Sequence, residues 1–449
     1  MKLINRGLSG TVQVIGDKSI SHRAILFSAL AEGTSVIKNL LISEDTKASL
    51  EIVEQMGADV KIQDKVSITG QGINGLKKPK NELNAKNSGT TARLLIGLLS
   101  KQKFSSTLIG STQLNKRPMN RIANLLVDHG ADMKIKNNFL PINFNPKEYS
   151  FSYQNTKVPS AQVKSALILA SLYHNEPTLI EETVPTRDHT ERMLVAMGVD
   201  ILRLGNTLTV PPTTKLEPLT ITIPGDISSG AFLIALGLLR GKEIILSNML
   251  INERRLGFIK VLKRMEAKIE ILNIREENNE VIGDIKINKS ILNGTTVSKD
   301  EIPDLIDEIP IFTLLASQAK GLTKVVGAEE LKVKESNRLD AMKNFILNLG
   351  GEIKLLDDGF EIQGIQKLKK GKIETLDDHR IAMTAIVANI GLNKKIIPDN
   401  FECINDSYPS FFEDIKLLGG ETVSYTHLRD HETDSYLVCR LVGEKTGGG

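Results

Sequence analysis

The feature that most constrains this chain of 449 residues is an internal repeat. Six times, a short polar segment opens an apolar run with the period of a helix. These openings are marked by Asp17, Ser88, Ser160, Asp226, Asp307 and Asp378, at steps of 71, 72, 66, 81 and 71 residues. Because regular self-similarity reflects one structural unit used repeatedly, we predict six copies of one supersecondary unit.

The copies also end alike. Gly57, Gly130, Gly198 and Gly350 each close a predicted helix and precede a strand, since glycine takes the left-handed conformation at a helix end at little cost. Each unit is therefore predicted to contain a helix, a strand, a second helix and a pair of strands. Glu266 stands where the fourth unit should have its closing glycine, so that unit matches the repeat least well.

The two halves of the chain match at a higher level. Gly16 recurs as Gly225, and Asn39 recurs as Asn248, both at an offset of 209 residues. The six units thus group as three and three. Because a period of about 70 residues exceeds that of common solenoid repeats, we predict two similar globular domains, each with pseudo-threefold symmetry.

The charge balance excludes some functions. The chain has 57 basic and 54 acidic side chains and a net charge of +3, whereas general nucleic-acid binding needs a strong basic excess. Two cysteines form neither a disulfide framework nor a zinc cluster. The apolar runs are too short to span a bilayer, and the first residues lack the core of a signal peptide. We expect a cytoplasmic, bacterial-type protein without membrane or nucleic-acid partners.

The last 28 residues, 422–449, carry neither the repeat nor a consistent period, and they end in three glycines. We interpret them as a foreign or read-through extension and expect them to be disordered. His427 and His431 stand four residues apart there. Because such a pair alone is a weak metal motif, we predict no metal site.

Cations stand near several of the repeated helix starts, where the helix dipole disfavours them. They are Lys18, Arg23, Arg93, Arg117, Arg187, Lys334, Arg338 and Arg380. An anion lying between such cations and the helix N-termini would relieve this conflict, and small residues such as Gly89 leave backbone N–H groups open to it. We infer that the unit starts converge on a cleft between the domains that binds one or two small polyanions.

Each of these residues also has a purely structural interpretation. Lys18 could be a solvated loop lysine, Gly89 could serve a tight turn, and Arg380 could pair with a neighbouring aspartate. Asp307 and Glu335 are the acid–base candidates, with structural ion pairs as the alternative. Because these residues recur at equivalent points of the units, we favour a functional role for them over a purely structural one. The sequence has no nucleotide-binding glycine motif, so we expect no cofactor.

Seven motifs, in order, resemble the family of 5-enolpyruvylshikimate-3-phosphate synthases. They lie at residues 16–23, 87–93, 116–119, 160–162, 187–191, 332–338 and 378–380. The resemblance runs from about residue 3 to residue 421, and the motifs are most similar to the class II bacterial members.

This resemblance implies an α/β fold, a two-domain inside-out α/β barrel of the enolpyruvyl transferase type with six βαβαββ units, three per domain. Residues 14–222 would form one domain, and residues 1–13 together with 223–421 would form the other. The chain would cross between them near Gly16 and Gly225. The resemblance also suggests a monomer.

The implied reaction transfers the carboxyvinyl group of phosphoenolpyruvate to the 5-hydroxyl of shikimate 3-phosphate and releases phosphate, in the shikimate pathway to chorismate and the aromatic amino acids. By motif match, shikimate 3-phosphate would contact Lys18, Ser19, Arg23, Ser160, Ala161, Gln162, Arg187, Asp307 and Lys334. Phosphoenolpyruvate would contact Lys18, Gly89, Arg117, Gln162, Arg338 and Arg380. Asp307 would accept the hydroxyl proton, Glu335 would protonate the methylene carbon, and Lys18 could assist either transfer.

Some members of this family carry a lysine shortly before the proline of the last unit. Residues 405–409 contain none here, so we assign no phosphoenolpyruvate contact to them. Gly89 leaves room at the phosphoenolpyruvate end of the site. This predicts sensitivity to the competitive inhibitor glyphosate.

Two other functions remain as alternatives. UDP-N-acetylglucosamine 1-carboxyvinyltransferases share the fold, but they usually have a loop cysteine as acid, and residues 111–119 contain none. Lys18 is also followed here by serine rather than asparagine. A non-catalytic repeat protein that binds anions would not need Asp307 and Glu335. Phosphate release from shikimate 3-phosphate and phosphoenolpyruvate discriminates among the three.

Overall fold

The computed structural model describes residues 7–420, and the extension predicted at 422–449 lies outside them. The helices are α1 (Lys18–Leu30), α2 (Glu44–Gln55), α3 (Gly89–Leu99), α4 (Asn120–Val127), α5 (Ala161–Ser171), α6 (His189–Ala196), α7 (Ile227–Arg240), α8 (Gly257–Arg264), α9 (Ile309–Gln318), α10 (Arg338–Asn348), α11 (His379–Leu392) and α12 (Phe411–Leu417). Within the described residues, no helix is both long and apolar enough to cross a bilayer.

The strands are short, and most fall between the helices as the repeat predicts. They are β1 (Leu8–Gln13), β2 (Glu32–Lys38), β3 (Asp59–Ile62), β4 (Val66–Gln71), β5 (Leu83–Asn84), β6 (Ser106–Ile109), β7 (Met133–Lys136), β8 (Phe139–Phe144), β9 (Tyr153–Asn155), β10 (Thr178–Glu181), β11 (Leu202–Leu204), β12 (Thr207–Val210), β13 (Thr220–Thr222), β14 (Gly241–Leu250), β15 (Lys268–Glu277), β16 (Glu280–Asn288), β17 (Thr296–Val297), β18 (Leu322–Val325), β19 (Lys354–Leu356), β20 (Gly359–Gln363), β21 (Gly371–Ile373) and β22 (Ile396–Pro398).

One strand arrangement recurs from sheet to sheet. A parallel pair is extended by an antiparallel pair in the sheets β13-β2-β4-β3, β5-β6-β8-β7, β9-β10-β12-β11, β1-β14-β16-β15 and β17-β18-β20-β19. In the sixth unit, the described residues contain the parallel pair β21-β22 and end after α12. Five of the six predicted βαβαββ units are therefore complete, and the sixth lacks its last two strands in the part of the chain that the structure describes.

The chain crosses twice between two lobes. β1 pairs with β14 and β13 pairs with β2, so each strand completes a sheet on the far side of a crossing. At the crossing, Gly16 and Gly225 form an antiparallel bridge, and the Asp17 N–H donates to the Pro224 carbonyl at 2.8 Å. A Cβ on Gly16 would lie 2.0 Å from the Asn39 carbonyl oxygen, so only glycine fits there.

Each lobe has its own apolar core. The core of the first lobe is built from residues between Ile20 and Ile223 together with Leu250, and the core of the second lobe from the β1 region and residues from Ile227 onward. The first helix of each unit is buried on nearly all sides, as in α7, where twelve residues from Ile227 to Leu238 are buried. The helices are therefore central and the sheets lie outside them, because an element that is apolar all round must be enclosed.

The structure confirms the predicted helix ends. Gly57, Gly130, Gly198 and Gly350 have φ values of +99°, +102°, +92° and +73°. Glu266 adopts the same left-handed conformation, with φ of +68°. The fourth unit thus keeps the turn without the residue that favours it.

Candidate active site

The first helix of five units is capped by the side chain that marks the repeat. Asp17, Ser88, Ser160, Asp226 and Asp378 each accept a hydrogen bond from a backbone N–H in the first turn. In the fifth unit, the N-cap of α9 is Glu308, and α9 has no side-chain cap. Asp307 lies just before this helix, in the 3₁₀ turn Ile306–Glu308, and its carboxylate is free for other partners.

A cavity of about 510 Å³ lies between the lobes. Every site residue predicted from the sequence lines it. The first lobe contributes Lys18, Ser19, Arg23, Gly89, Arg117, Ser160, Ala161, Gln162 and Arg187, and the second contributes Asp307, Lys334, Glu335, Arg338 and Arg380. Segments more than 300 residues apart in sequence are thus brought to one surface, as the convergence of the unit starts requires.

Neutral groups hold Arg23 in place. Its guanidinium donates to the Thr190 hydroxyl at 2.7 Å, the Ser165 hydroxyl at 2.8 Å and the Ser19 carbonyl at 3.0 Å. Burial lowers the pKa of Arg23 to about 10, which leaves it charged at neutral pH. Because these partners carry no charge, the cation is available to an anionic ligand.

Gln162 is oriented by two neighbours on α3. Its Oε1 accepts a hydrogen bond from Arg93 at 2.6 Å, and its Nε2 donates to the Thr90 hydroxyl at 2.9 Å. Burial lowers the pKa of Arg93 to about 10, so this residue also stays charged. The sequence marked Arg93 as a cation at a helix start but did not reveal its contact with Gln162.

Asp307 lies among cations of both lobes. Its carboxylate is 3.0 Å from Arg187, 3.3 Å from Lys334 and 3.6 Å from Arg338. Burial opposes its ionisation, but Lys334, Arg187, Arg380 and Arg338 outweigh that effect and hold the pKa of the carboxyl well below its usual range. Asp307 is therefore ionised at neutral pH.

Glu335 bridges an arginine from each lobe. One carboxylate oxygen contacts Arg117, and the other lies 2.6 Å from Arg338. Burial raises its pKa, but Arg338 and Arg117 lower it more, so the pKa of Glu335 also lies well below its usual range. A proton donor at this position must therefore first gain a proton.

One guanidinium nitrogen of Arg338 makes no hydrogen bond. Its Nε lies 2.8 Å from Asp378, and only 1% of its side chain is exposed. Its Nη1 lies 3.6 Å from the Asp307 carboxylate but makes no hydrogen bond to any of the described residues. A buried donor without a hydrogen bond is costly, so this nitrogen is suited to an anionic group entering the cavity.

Sequence reasoning missed two partners of the site. Asp45 forms an ion pair with Lys18. Arg255 lies 3.2 Å from Asp17 and 3.1 Å from Asp226, and so joins the two crossing segments. The repeat gives no signal for Arg255, because the position 209 residues earlier is a threonine.

Comparisons with known proteins agree with one another. The model of the family described as EPSP synthase (3-phosphoshikimate 1-carboxyvinyltransferase) matches residues 4–415. A 3-phosphoshikimate 1-carboxyvinyltransferase of Oceanobacillus iheyensis is 44% identical over 419 residues, which cover 92% of this chain and 98% of that protein. A solved EPSP synthase from Acinetobacter baumannii has a TM-score of 0.82 at 37% identity and covers 92% of this chain and 96% of its own.

A more distant structure is similar in fold alone. The enolpyruvyl transferase NikO from Streptomyces tendae has a TM-score of 0.74 at 15% identity, with 93% of this chain and 96% of that chain covered. Together, these matches confirm both the resemblance stated from the motifs and the α/β enolpyruvyl transferase fold. The chain belongs to the EPSP synthase family.

Proposed function

We propose that this chain is a 3-phosphoshikimate 1-carboxyvinyltransferase of aromatic amino-acid biosynthesis. It transfers the carboxyvinyl group of phosphoenolpyruvate to the 5-hydroxyl of shikimate 3-phosphate, giving 5-enolpyruvylshikimate 3-phosphate and phosphate. Relatives that match nearly the whole chain bear that name. The observation that carries the proposal is a single interlobe cavity in which cations of both lobes surround two ionised carboxylates, Asp307 and Glu335.

Shikimate 3-phosphate is assigned to the side of the cavity around the start of α5. The groups proposed to bind it are Lys18, Ser19, Arg23, Ser160, Ala161, Gln162, Arg187, Asp307 and Lys334. The N-terminus of α5 offers backbone N–H groups to an anion. The guanidinium groups of Arg23 and Arg187 offer charge-assisted hydrogen bonds to the phosphate.

Phosphoenolpyruvate is assigned to the side of the cavity between α3 and α10. The groups proposed to bind it are Lys18, Gly89, Arg117, Gln162, Arg338 and Arg380. The Nη1 of Arg338 makes no hydrogen bond to the described residues, and this supports the assignment, because the carboxylate or phosphate of phosphoenolpyruvate would supply the acceptor. Gly89 begins α3 and lies beside Arg117, so a ligand oxygen can approach the helix N-terminus there.

Asp307 is proposed as the general base. It is ionised, and it lies beside Arg187 and Lys334, which are assigned to the acceptor substrate. The 5-hydroxyl would give its proton to Asp307 as its oxygen bonds to the central carbon of phosphoenolpyruvate. A positioned base of this kind typically contributes about 10²–10⁴-fold to the rate.

Glu335 is proposed as the general acid that protonates the methylene carbon. Without ligands, Arg117 and Arg338 keep it ionised. Both arginines are also assigned to phosphoenolpyruvate, whose negative charges would compete with the carboxylate for them. The pKa of Glu335 would then rise and it would take up a proton, with Lys18 assisting either transfer.

Proton transfer to the methylene carbon makes the neighbouring carbon electron-poor, so the hydroxyl oxygen attacks it. The resulting tetrahedral intermediate expels phosphate and loses a methyl proton, which restores the carbon–carbon double bond. Both substrates are anions and repel each other in water. Placing them among cations of two lobes offsets that repulsion and supplies a high effective concentration.

The two lobes are proposed to act as domains that close over the substrates. Their bounds are residues 14–222 for one domain, and residues 1–13 with 223–421 for the other. The separate cores and the exchange of β1 and β13 support this division. The cytoplasm is proposed from the sequence features given above, and a monomer is proposed from the family resemblance alone.

Phosphate release by the purified protein tests the function. We expect release, together with 5-enolpyruvylshikimate 3-phosphate, when both substrates are present and none when either is omitted. Release only with UDP-N-acetylglucosamine as acceptor would identify the related transferase instead. Tight binding of both ligands without turnover would identify an anion-binding protein.

A further inference from the structure

A buried lysine outside the proposed chemistry lies directly beneath the site. Lys164 is two residues after Gln162 in α5, and its side chain is completely buried. Its Nζ is 3.1 Å from Glu182 and 2.8 Å from Glu191. A buried ammonium is costly unless it is paired, and the reaction proposed above makes no use of this one.

The lysine belongs to a ring of four charges. Arg203 on β11 lies 2.7 Å from Glu182 and 2.9 Å from Glu191, so two cations and two carboxylates alternate. Glu182 is 1% exposed and Glu191 is 9% exposed, whereas Arg203 closes the ring from the solvent side at 32%. The charges balance, which allows the ring to be buried.

The two carboxylates lie at the two ends of residues 182–191, which are the loop after β10 and the first turn of α6 and are called the loop 182–191 below. Glu182 Oε1 accepts hydrogen bonds from both the N–H and the hydroxyl of Thr186, at 2.9 and 2.5 Å. Thr186 immediately precedes Arg187, whose guanidinium reaches across the cavity to Asp307. Contacts thus run without a gap from Lys164 through Glu182 and Thr186 to Arg187.

The next residue of α5 fixes the far end of this loop. Ser165 exchanges a hydrogen bond of 2.6 Å with Thr190 and accepts one of 2.8 Å from Arg23. Helix α5 therefore holds the loop at both ends. Of these two anchors, Lys164 is the charged one, and it binds both ends at once.

We propose that Lys164 is a positioning residue that acts through the loop 182–191 to place the Arg187 guanidinium at the shikimate 3-phosphate site. The inference rests on the proposed assignment of Arg187 to this substrate. Methionine would fill the volume of the lysine stem but would release both carboxylates from α5, so the loop would lose its charged anchor while the apolar packing persists.

The first test is the variant Lys164→Met, for which the KM of each of the two substrates is measured. We expect the KM and the calorimetric Kd of shikimate 3-phosphate to rise about tenfold, since a charge-assisted hydrogen bond from Arg187 would be misplaced. The KM of phosphoenolpyruvate at saturating shikimate 3-phosphate should change less than about threefold. An equal change in the KM values of both substrates, or no change in either KM, would overturn the proposal.

A double-mutant cycle with Arg187→Met tests whether the lysine acts through the arginine. Arg187→Met alone should weaken shikimate 3-phosphate binding, and adding Lys164→Met should weaken it no further. If the double variant instead shows the product of the two single losses of affinity, the positioning role is overturned while the site assignment stays intact. An unchanged affinity in Arg187→Met would instead overturn the assignment, and the inference with it.

A charge-balanced pair of variants separates positioning from stability. Glu191→Gln alone leaves Lys164 bound to Glu182, so its affinity for shikimate 3-phosphate should stay near that of the parent. Lys164→Met/Glu191→Gln removes one charge of each sign and should recover Tm relative to Lys164→Met, yet the loss of shikimate 3-phosphate affinity should persist. If affinity recovers together with Tm, the role of Lys164 is stability alone.

Discussion

The ion pairs that join the lobes at the crossover differ from those that join them across the cavity. At the crossover, Arg255 of the second lobe pairs with Asp17 of the first, and their side chains are 3% and 0% exposed. Across the cavity the signs are reversed, since Arg117 and Arg187 of the first lobe pair with Glu335 and Asp307 of the second. The side chains of Arg117 and Glu335 are 13% and 24% exposed.

This difference suggests that the ion pair at the crossover stays in place, whereas the ion pairs across the cavity can be exchanged for contacts to a ligand. The pair at the crossover is almost completely buried, and Arg255 ties together the two segments that link the lobes. The pairs across the cavity are open to anions, so a phosphate or carboxylate can take the place of Asp307 or Glu335 on an arginine. In the absence of substrates, the carboxylates of the second lobe therefore occupy cations that the substrates are proposed to bind.

The largest effect should come from Glu335→Gln. This change keeps the shape of the side chain but removes the proposed acid, so kcat should fall by about 10²–10⁴. The calorimetric affinity for shikimate 3-phosphate should stay within about threefold of the parent, because Glu335 contacts none of the groups that act only on that substrate. Phosphate release and calorimetry on the same preparation check both.

The matched control is Glu330→Gln. Glu330 also pairs with an arginine of the first lobe, Arg121 at 2.9 Å, but its side chain is 52% exposed at the rim. An exposed pair contributes little, so kcat should change less than about twofold. Equal losses in the two variants would mean that lobe pairing, rather than proton transfer, explains the effect of Glu335.

The second largest effect should come from Arg117→Gln, with Arg121→Gln as its control. Arg117 is proposed to bind phosphoenolpyruvate, and a charge-assisted hydrogen bond contributes about 1.5–3 kcal/mol, so the KM of phosphoenolpyruvate should rise about 10–100-fold. Arg121→Gln should leave that KM within about twofold. A similar KM in both variants would remove Arg117 from the binding site.

The sequence predicted the unit starts and helix ends because capping residues and glycine act locally. It did not predict that Asp17 is the N-cap of its helix while Asp307 lies one residue before the N-cap, Glu308, because an offset of one residue depends on the local backbone. It also gave no sign that Lys164 meets Glu182 and Glu191, because these contacts depend on how the loop after β10 packs on α5. Sequence periodicity thus located the site, whereas the pairing of its charges required the tertiary structure.

The third prediction concerns the space that Gly89 leaves beside Arg117. A Cβ at this position would lie 3.0 Å from an Arg117 guanidinium nitrogen, so Gly89→Ala must shift that group or the ligand beside it. We expect the inhibition constant of glyphosate to rise about tenfold, which corresponds to a loss of about 1.4 kcal/mol of binding free energy. The KM of phosphoenolpyruvate should rise less. Inhibition of the parent checks the predicted sensitivity, and an unaffected rate at high glyphosate would contradict it.

The fourth prediction is proton uptake when phosphoenolpyruvate joins the complex with shikimate 3-phosphate. Without ligands, the pKa of Glu335 is low and the group carries no proton near pH 7. If the substrate draws Arg117 and Arg338 away, that pKa rises in the complex, so uptake should be largest at pH values between the low pKa of the free protein and the new pKa, and it should disappear as pH rises through the new pKa. The activity that depends on this proton should decline over the same range.

Calorimetry in buffers of different ionisation enthalpy measures this uptake, which should be a fraction of one proton per site. Glu335→Gln should abolish it, whereas Glu330→Gln should retain it. Protons that belong to the ligand phosphate are common to all three proteins, so the difference between them isolates Glu335. Equal uptake in the parent and in Glu335→Gln would show that Glu335 does not change its protonation on binding.

The smallest expected effect is on stability, at two equivalent helix ends of the two lobes. These ends are Gly57 in the first lobe and Glu266 in the second. Both are left-handed, but a side chain in that conformation costs about 1–2 kcal/mol, partly offset by the lower chain entropy of a non-glycine residue in the unfolded state. Glu266→Gly should therefore raise the free energy of unfolding by up to about 1 kcal/mol. The reverse change, Gly57→Glu, should lower it by more, because its Cβ would meet Lys77 at 3.0 Å. Urea denaturation of both variants measures the difference, and a destabilised Glu266→Gly protein would show that the contacts of Glu266 outweigh its backbone strain.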